Sequence, residues 1–159
     1  MKNLYLRIST GLVAALILSI MPMPEFMGAF RPPWILLMVL YIEFFLPDNF
    51  KITALLLIGL FMDVLLSTVI GQHSFALLLV TWVASSKSRR FHFFSMIQQI
   101  IFIGFFCLLY QAIISFNDAM MGYNYSVLLP ITSALTGMFI WPWIRLLGDS
   151  SFATRLLYR

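Results

Sequence analysis

Asp63 places a carboxyl group near the middle of an apolar run, residues 52–70, that reads as one helix. No compensating charge lies beside it in sequence. At the centre of a membrane-spanning helix such a charge costs about 2.5–3.5 kcal/mol on insertion scales, so the side chain is expected to face protein or water. Gly59, Asp63, Ser67 and Gly71 recur at every fourth position, which on a helix puts them on one slowly drifting face. Small residues there let a second helix approach closely. Two readings of Asp63 follow. It binds a substrate, a proton or a partner, or it is a protonated aspartate hydrogen-bonded inside a bundle, since burial favours the neutral acid.

The remaining polar groups in apolar surroundings are few. Glu43 stands four residues before Pro47 and is expected to snorkel to the surface. Arg31-Pro32-Pro33-Trp34 sets a lone cation at the mouth of a helix, within reach of a partner's carboxylate, of Glu25 or Asp118, or of a lipid phosphate. Trp141-Pro142-Trp143 joins two aromatics of the kind enriched at membrane interfaces to a proline that removes one helix hydrogen bond and kinks the chain. Gln111, Ser115, Ser133, Thr136 and Gly137 are polar or small at helical spacing and suit interhelical contacts. Nucleotide-binding and nucleophile-elbow motifs are absent from the sequence. His73 and His92 are read into connections on opposite sides of the membrane, which precludes a two-histidine metal site, and no cofactor is expected. Cys107, the single cysteine, lies in an apolar run and cannot form an intramolecular disulfide.

These residues need helices to position them, and the composition says which kind. Charged residues are 10% of the 159 positions, hydrophobic residues 62%, and mean hydropathy is +0.96, against roughly a quarter charged in soluble domains. The reading is an all-α integral membrane protein with one transmembrane domain, 1–159. Its six spans are expected near 8–26, 33–46, 52–70, 74–86, 95–116 and 127–147, followed by a basic tail, 148–159. Pro22-Met23-Pro24-Glu25 and Pro47-Asp48-Asn49 mark turns, and Asn117 to Tyr125 a polar loop. The first segment, with Lys2 and Arg7 ahead of an apolar stretch, is read as a retained span rather than a cleaved signal. Several spans are nearer 14 residues than 20. At about 1.5 Å per residue they fall short of a hydrocarbon layer of roughly 30 Å, so neighbouring helices or a thinned bilayer must shield their ends.

Charge sets the orientation. With both termini inside, Lys2, Arg7, Lys51, Lys87, Arg89, Arg90, Arg145, Arg155 and Arg159 collect on the cytoplasmic side, leaving Arg31 alone outside. This is the positive-inside pattern. The net charge of +4 and pI near 9.5 then reflect contact with anionic lipid head groups, not nucleic acid.

Arg31-Pro32-Pro33-Trp34 before a helix ending at Pro47, Gly59-x-x-x-Asp63 with Gly71 beyond it, the Met21-Pro22-x-Pro24 turn and Trp141-Pro142-Trp143 near the C-terminus together resemble the rod shape-determining protein MreD family. The resemblance covers nearly the whole chain. It implies a multi-pass component of the bacterial inner membrane, not a catalyst, that scaffolds or regulates side-wall peptidoglycan synthesis in the elongation complex and so maintains rod shape. Its closest partner would be MreC, with RodA, penicillin-binding protein 2 and MreB in the same complex. The fold implied is similar to the six-helix substrate-binding components of energy-coupling-factor transporters. Arg31, Pro32, Trp34, Gly59, Asp63, Ser67, Gly71, Trp141, Pro142 and Trp143 are the residues expected to shape or brace an interaction surface. The rival reading is a small-molecule-binding subunit of a transporter, with Asp63 and Arg31 on a polar solute, which needs convergent polar groups.

Overall fold

Helix starts follow local signals. Pro33 offers its carbonyl to the N–H of Leu37 at 3.0 Å, and α2 (Trp34–Phe45) begins directly after it, because proline's missing N–H costs nothing at a helix start. Ser95 caps α6 (Met96–Met120): its Oγ accepts from Gln98 N, and Gln98 Oε1 accepts from Ser95 N at 3.0 Å, a reciprocal capping box. The other elements are α1 (Lys2–Ile20), α3 (Ile52–Leu65), α4 (Gln72–Ser85), the single turn α5 (Ser88–Phe91) and α7 (Leu128–Leu156). The computed structural model describes residues 2–21, 31–45, 52–91, 93–123 and 126–156, and among these there is no strand. The turns expected at Pro22 to Glu25 and at Pro47 to Asn49, and the placements of Lys51, His92, Tyr125 and Arg159, lie outside the described residues.

Helix ends depart from the expected spans in several places, and α1 runs over Lys2–Ile20 rather than the expected 8–26. α3 stops at Leu65 rather than near 70, because Ser67 takes a left-handed conformation with φ +52°. Thr68 N–H then bonds back to Asp63 O at 3.0 Å and Ser67 N–H to Val64 O at 3.4 Å, the paired bonds of a Schellman stop. α6 continues through Asn117 and Asp118 to Met120, residues expected in a loop, and ends the same way. Gly122 has φ +77°, with Tyr123 N–H on Asp118 O at 2.9 Å and Gly122 N–H on Ala119 O at 3.2 Å. The C-terminal tail, expected as a separate basic segment from 148, extends α7 to Leu156.

Ser67 holds a conformation that costs a side-chain-bearing residue about 1 kcal/mol. Ser67→Gly is therefore expected to raise stability by up to about 1 kcal/mol. The check is the midpoint of thermal unfolding in detergent, which should move upward.

α2 is the axis of the bundle. Ile35, Leu36, Leu37, Val39, Leu40, Tyr41, Ile42 and Phe44 are all buried, so this helix, only about 18 Å long at about 1.5 Å per residue, is covered nearly all round. It touches α1, α4, α5, α6 and α7, while α3 pairs with α4 and α6 with α7. Phe44 stacks on Phe91 of α5 at 3.8 Å and 7°. The outer faces invert the soluble pattern. Ile97, Ile101, Phe105 and Leu108 on α6, and Leu57, Phe61 and Val64 on α3, are exposed at helical spacing. Among the described residues, α6 is the one helix long and apolar enough to cross a membrane, and 8–20, 34–45 and 52–65 are shorter apolar helices.

Candidate functional site

The α3–α4 hairpin builds the most polar buried cluster. A helix N-terminus leaves backbone N–H groups without partners, and α4 begins at Gly71 with no capping side chain of its own. Asp63 supplies the acceptors from the preceding helix. Its Oδ2 accepts from Gly71 N–H at 2.8 Å and its Oδ1 from His73 N–H at 2.9 Å, a carboxyl group placed where the helix dipole favours negative charge. The same Oδ1 lies 2.8 Å from His73 Nδ1 and accepts from Thr68 Oγ1 at 3.3 Å. Every partner of Asp63 is a group able to donate, and a carboxylate, which only accepts, has lone pairs for all of them. Asp63 is 1% exposed.

Three expectations change here. Asp63 is in the last turn of its helix, not at its middle, because the stop at Ser67 shortens α3. It has a partner, His73, which belongs to the first turn of α4 rather than to a connection. Gly59, Asp63, Ser67 and Gly71 do not share a helix face: Ser67 and Gly71 both sit in the turn at positive φ, while Gly59 and Asp63 remain on α3. Gly59 makes the close approach. A Cβ there would lie 2.3 Å from Ser74 Cα and 2.6 Å from Ser74 N, and Ser74 Oγ donates to Leu56 O at 3.2 Å across the same contact.

Gln72 fastens this hairpin to α6. Its Nε2 donates to Asp118 Oδ1 at 2.7 Å and to Ile114 O at 3.2 Å. Asp118 is thereby occupied, and Arg31, expected within reach of it, turns elsewhere. Its Nη2 donates to the carbonyls of Ser19 and Met21, the latter at 3.3 Å, where a cation complements the C-terminal end of α1. Glu25 lies outside the described residues. Pro32 is buried and Trp34 packs part-buried against the core.

At the opposite end of the bundle the aromatics separate. Trp141 is fully buried, edge-on to Phe91 at 5.9 Å and 83°, so its expected place in an interfacial belt is corrected. Residues two apart on a helix differ by about 200°, and it is Trp143, 63% exposed, that faces outward. α7 stays helical through Pro142. Arg145 Nη1 donates to Gln99 Oε1 at 2.7 Å, and Gln99 Nε2 to Phe94 O at 3.1 Å. Of the small and polar residues expected between α6 and α7, Gly137 does bring the helices together: a Cβ there would meet Cys107 Sγ at 2.5 Å. Thr136 instead bonds within its own helix, to the carbonyls of Thr132 and Ser133.

The cluster joins Asp63, Thr68, Gly71, Gln72 and His73 into one hairpin lock. Sequence reasoning missed Thr68, Gln72 and His73. The signal available was a polar run beside a glycine, Gly71-Gln72-His73, less than ten residues after an otherwise unpaired aspartate. Among the described residues no group of three metal-ligating side chains comes together. In comparison with known proteins, the family model described as rod shape-determining protein MreD matches residues 2–150 of the chain. No solved structure matches it, so the expected likeness to the substrate-binding components of energy-coupling-factor transporters has no support from a known fold.

Proposed function

The chain belongs to the rod shape-determining protein MreD family, which gives it a part in determining rod shape, and from that premise we propose a non-enzymatic scaffold of side-wall peptidoglycan synthesis. It is a single multi-pass domain of the bacterial inner membrane, with both termini cytoplasmic and MreC as its closest partner. RodA, penicillin-binding protein 2 and MreB work in the same complex. The family match over 2–150 carries this reading.

The surface of the bundle supports it. Exposed Phe61, Phe75, Trp82, Phe105 and Phe139 form the kind of apolar exterior that marks membrane or protein contact. Without a hydrophobic drive between helices in lipid, association relies on close packing and small residues, and a short bundle of this kind offers faces for a partner's membrane helix. Arg31, Pro32, Trp34, Gly59, Asp63, Ser67, Gly71, Trp141, Pro142 and Trp143 act in this reading as bracing rather than as catalysts. Asp63 fixes the hairpin, Arg31 ends α1, and Trp141 fills the core, so a partner meets a fixed surface. The transport alternative needs a pocket for a polar solute. The cavity beside Arg31 is about 170 Å³ and the recess beside Asp118 about 280 Å³, both smaller than the roughly 300–1,000 Å³ of sites that hold drug-sized ligands, and transport is not taken further.

Deletion of the gene from its rod-shaped host is the test. Cells are expected to round up within a few generations and to recover rod shape when the chain is supplied from a plasmid. Rods that persist without it would contradict the proposal.

A further inference from the structure

The cavity at the hairpin end lies where α1, α3, α4, α6, α7 and the Arg31-Pro32-Pro33 segment ahead of α2 converge, and its polar lining comes from Ser19, Arg31, His73, Tyr110, Gln111 and Ser133. No described carboxylate lines it. Asp63 is committed to the start of α4, and Asp118 to Gln72. Arg31 spends one nitrogen on the neutral carbonyls of Ser19 and Met21 and has no counter-ion among the described residues, where the one ion pair is Asp63 with His73. Among the described residues the cavity's one fixed charge is therefore the Arg31 guanidinium. A second recess of about 280 Å³, beside Ser67, Thr68, Gln72, Asp118 and Tyr123, carries no basic residue and one aspartate, and is unsuited to anions.

Ser133 supplies an independent observation. It is 3% exposed, lines the cavity, and its Oγ has no hydrogen-bond partner among the described residues. A buried hydroxyl left unpaired is destabilising, and a bound acceptor removes that cost. His73 points the same way. With Nδ1 engaged by Asp63, Nε2 is the ring nitrogen left for the cavity it lines. Orienting one imidazole nitrogen with a carboxylate so that the other meets a ligand is a recurring arrangement.

We propose that this cavity binds a phosphate group, with the Arg31 guanidinium as counter-charge, Ser133 Oγ as donor and His73 Nε2 beside it. These polar groups come from three separate helices or helix ends, which suits a tetrahedral anion with several oxygens better than a planar carboxylate with two. Guanidinium and hydroxyl groups are established phosphate partners. The volume admits a headgroup-sized anion. Two sources carry that chemistry, the headgroup of an anionic lipid and free inorganic phosphate.

The test uses the full chain in maltoside micelles with isotope-labelled histidine. The sequence holds two histidines, and His92→Gln identifies the His73 ring signal. Inorganic phosphate is titrated in one arm, phosphatidylglycerol in a second, and the phosphate-free diacylglycerol in a third. A saturable shift of the His73 signal with phosphatidylglycerol but not diacylglycerol assigns a lipid headgroup, and a saturable shift with inorganic phosphate assigns the free anion. In either case Arg31→Gln is expected to weaken binding at least about tenfold, and Ser133→Ala about fivefold. Ser133→Ala removes one oxygen and should unfold at the parent's temperature, which separates lost binding from lost structure. The proposal is overturned by the absence of a saturable shift with either probe, or by a shift that both variants leave unchanged.

Discussion

Asp63→Ala is expected to destabilise the bundle by about 3–5 kcal/mol, the scale of breaking a buried, multiply bonded charge. The substitution leaves the N–H groups of Gly71 and His73 facing a methyl group, strips His73 Nδ1 of its partner and removes the acceptor for Thr68 Oγ1. Asp63→Asn separates charge from shape. Its single carbonyl oxygen can still serve His73, but its amide nitrogen then meets Gly71 N–H donor to donor, for a smaller loss of about 1–2 kcal/mol. Cys107 is the convenient reporter, being the only cysteine, buried and free. The temperature at which a maleimide dye labels it should fall most for Asp63→Ala and less for Asp63→Asn. Equal midpoints for all three proteins would mean that these hydrogen bonds do not hold the hairpin.

Gly59→Ala is the second large effect. The atoms that a Cβ would meet are backbone Cα and N of Ser74, at 2.3 and 2.6 Å, and backbone cannot turn aside as a flexible side chain can. The α3–α4 pair must separate, at about 2–3 kcal/mol for overpacking of this kind, despite alanine's better helix propensity of about 1 kcal/mol. Gly104 is the internal control. Its nearest neighbours are the Cε, Cγ and Sδ atoms of Met138, which can change rotamer, so Gly104→Ala should be the milder substitution by the Cys107 labelling midpoint. A Gly59→Ala protein as stable as its parent would show that the hairpin contact is looser than described.

Much of this was legible in the residues. The apolar runs mark the helices, Pro32-Pro33 and Ser95 mark two of their starts, and Gly59 marks the close approach. Asp63 could be recognised as a buried carboxyl needing a partner. What periodicity does not carry is where a helix stops when a non-glycine residue takes the left-handed conformation. Ser67 at φ +52° ends α3 five residues early, and that turn moves Asp63 from mid-helix to hairpin and brings His73 onto it. An apolar run, Val69-Ile70, bridges the turn and hides it from hydropathy.

The opposite error occurs at the end of α6. Asn117 and Asp118 look like loop residues by polarity, but the helix continues because Asp118 is satisfied by Gln72 from another element, 46 positions away. Trp141 and Trp143 make the same point about tertiary context. Identical residues flanking one proline divide into a fully buried core position and an exposed one, since helical rotation sends them to opposite sides.

A membrane scaffold of the side-wall synthesis machinery, as proposed for this chain, carries its partners with it out of its own membrane. Affinity purification of the tagged full chain from native membranes in mild detergent, read out by mass spectrometry, should recover MreC together with RodA and penicillin-binding protein 2, above the level from an untagged strain. Recovery of a transmembrane coupling subunit with its ATPases in their place would overturn the scaffold proposal and make the chain a transport component.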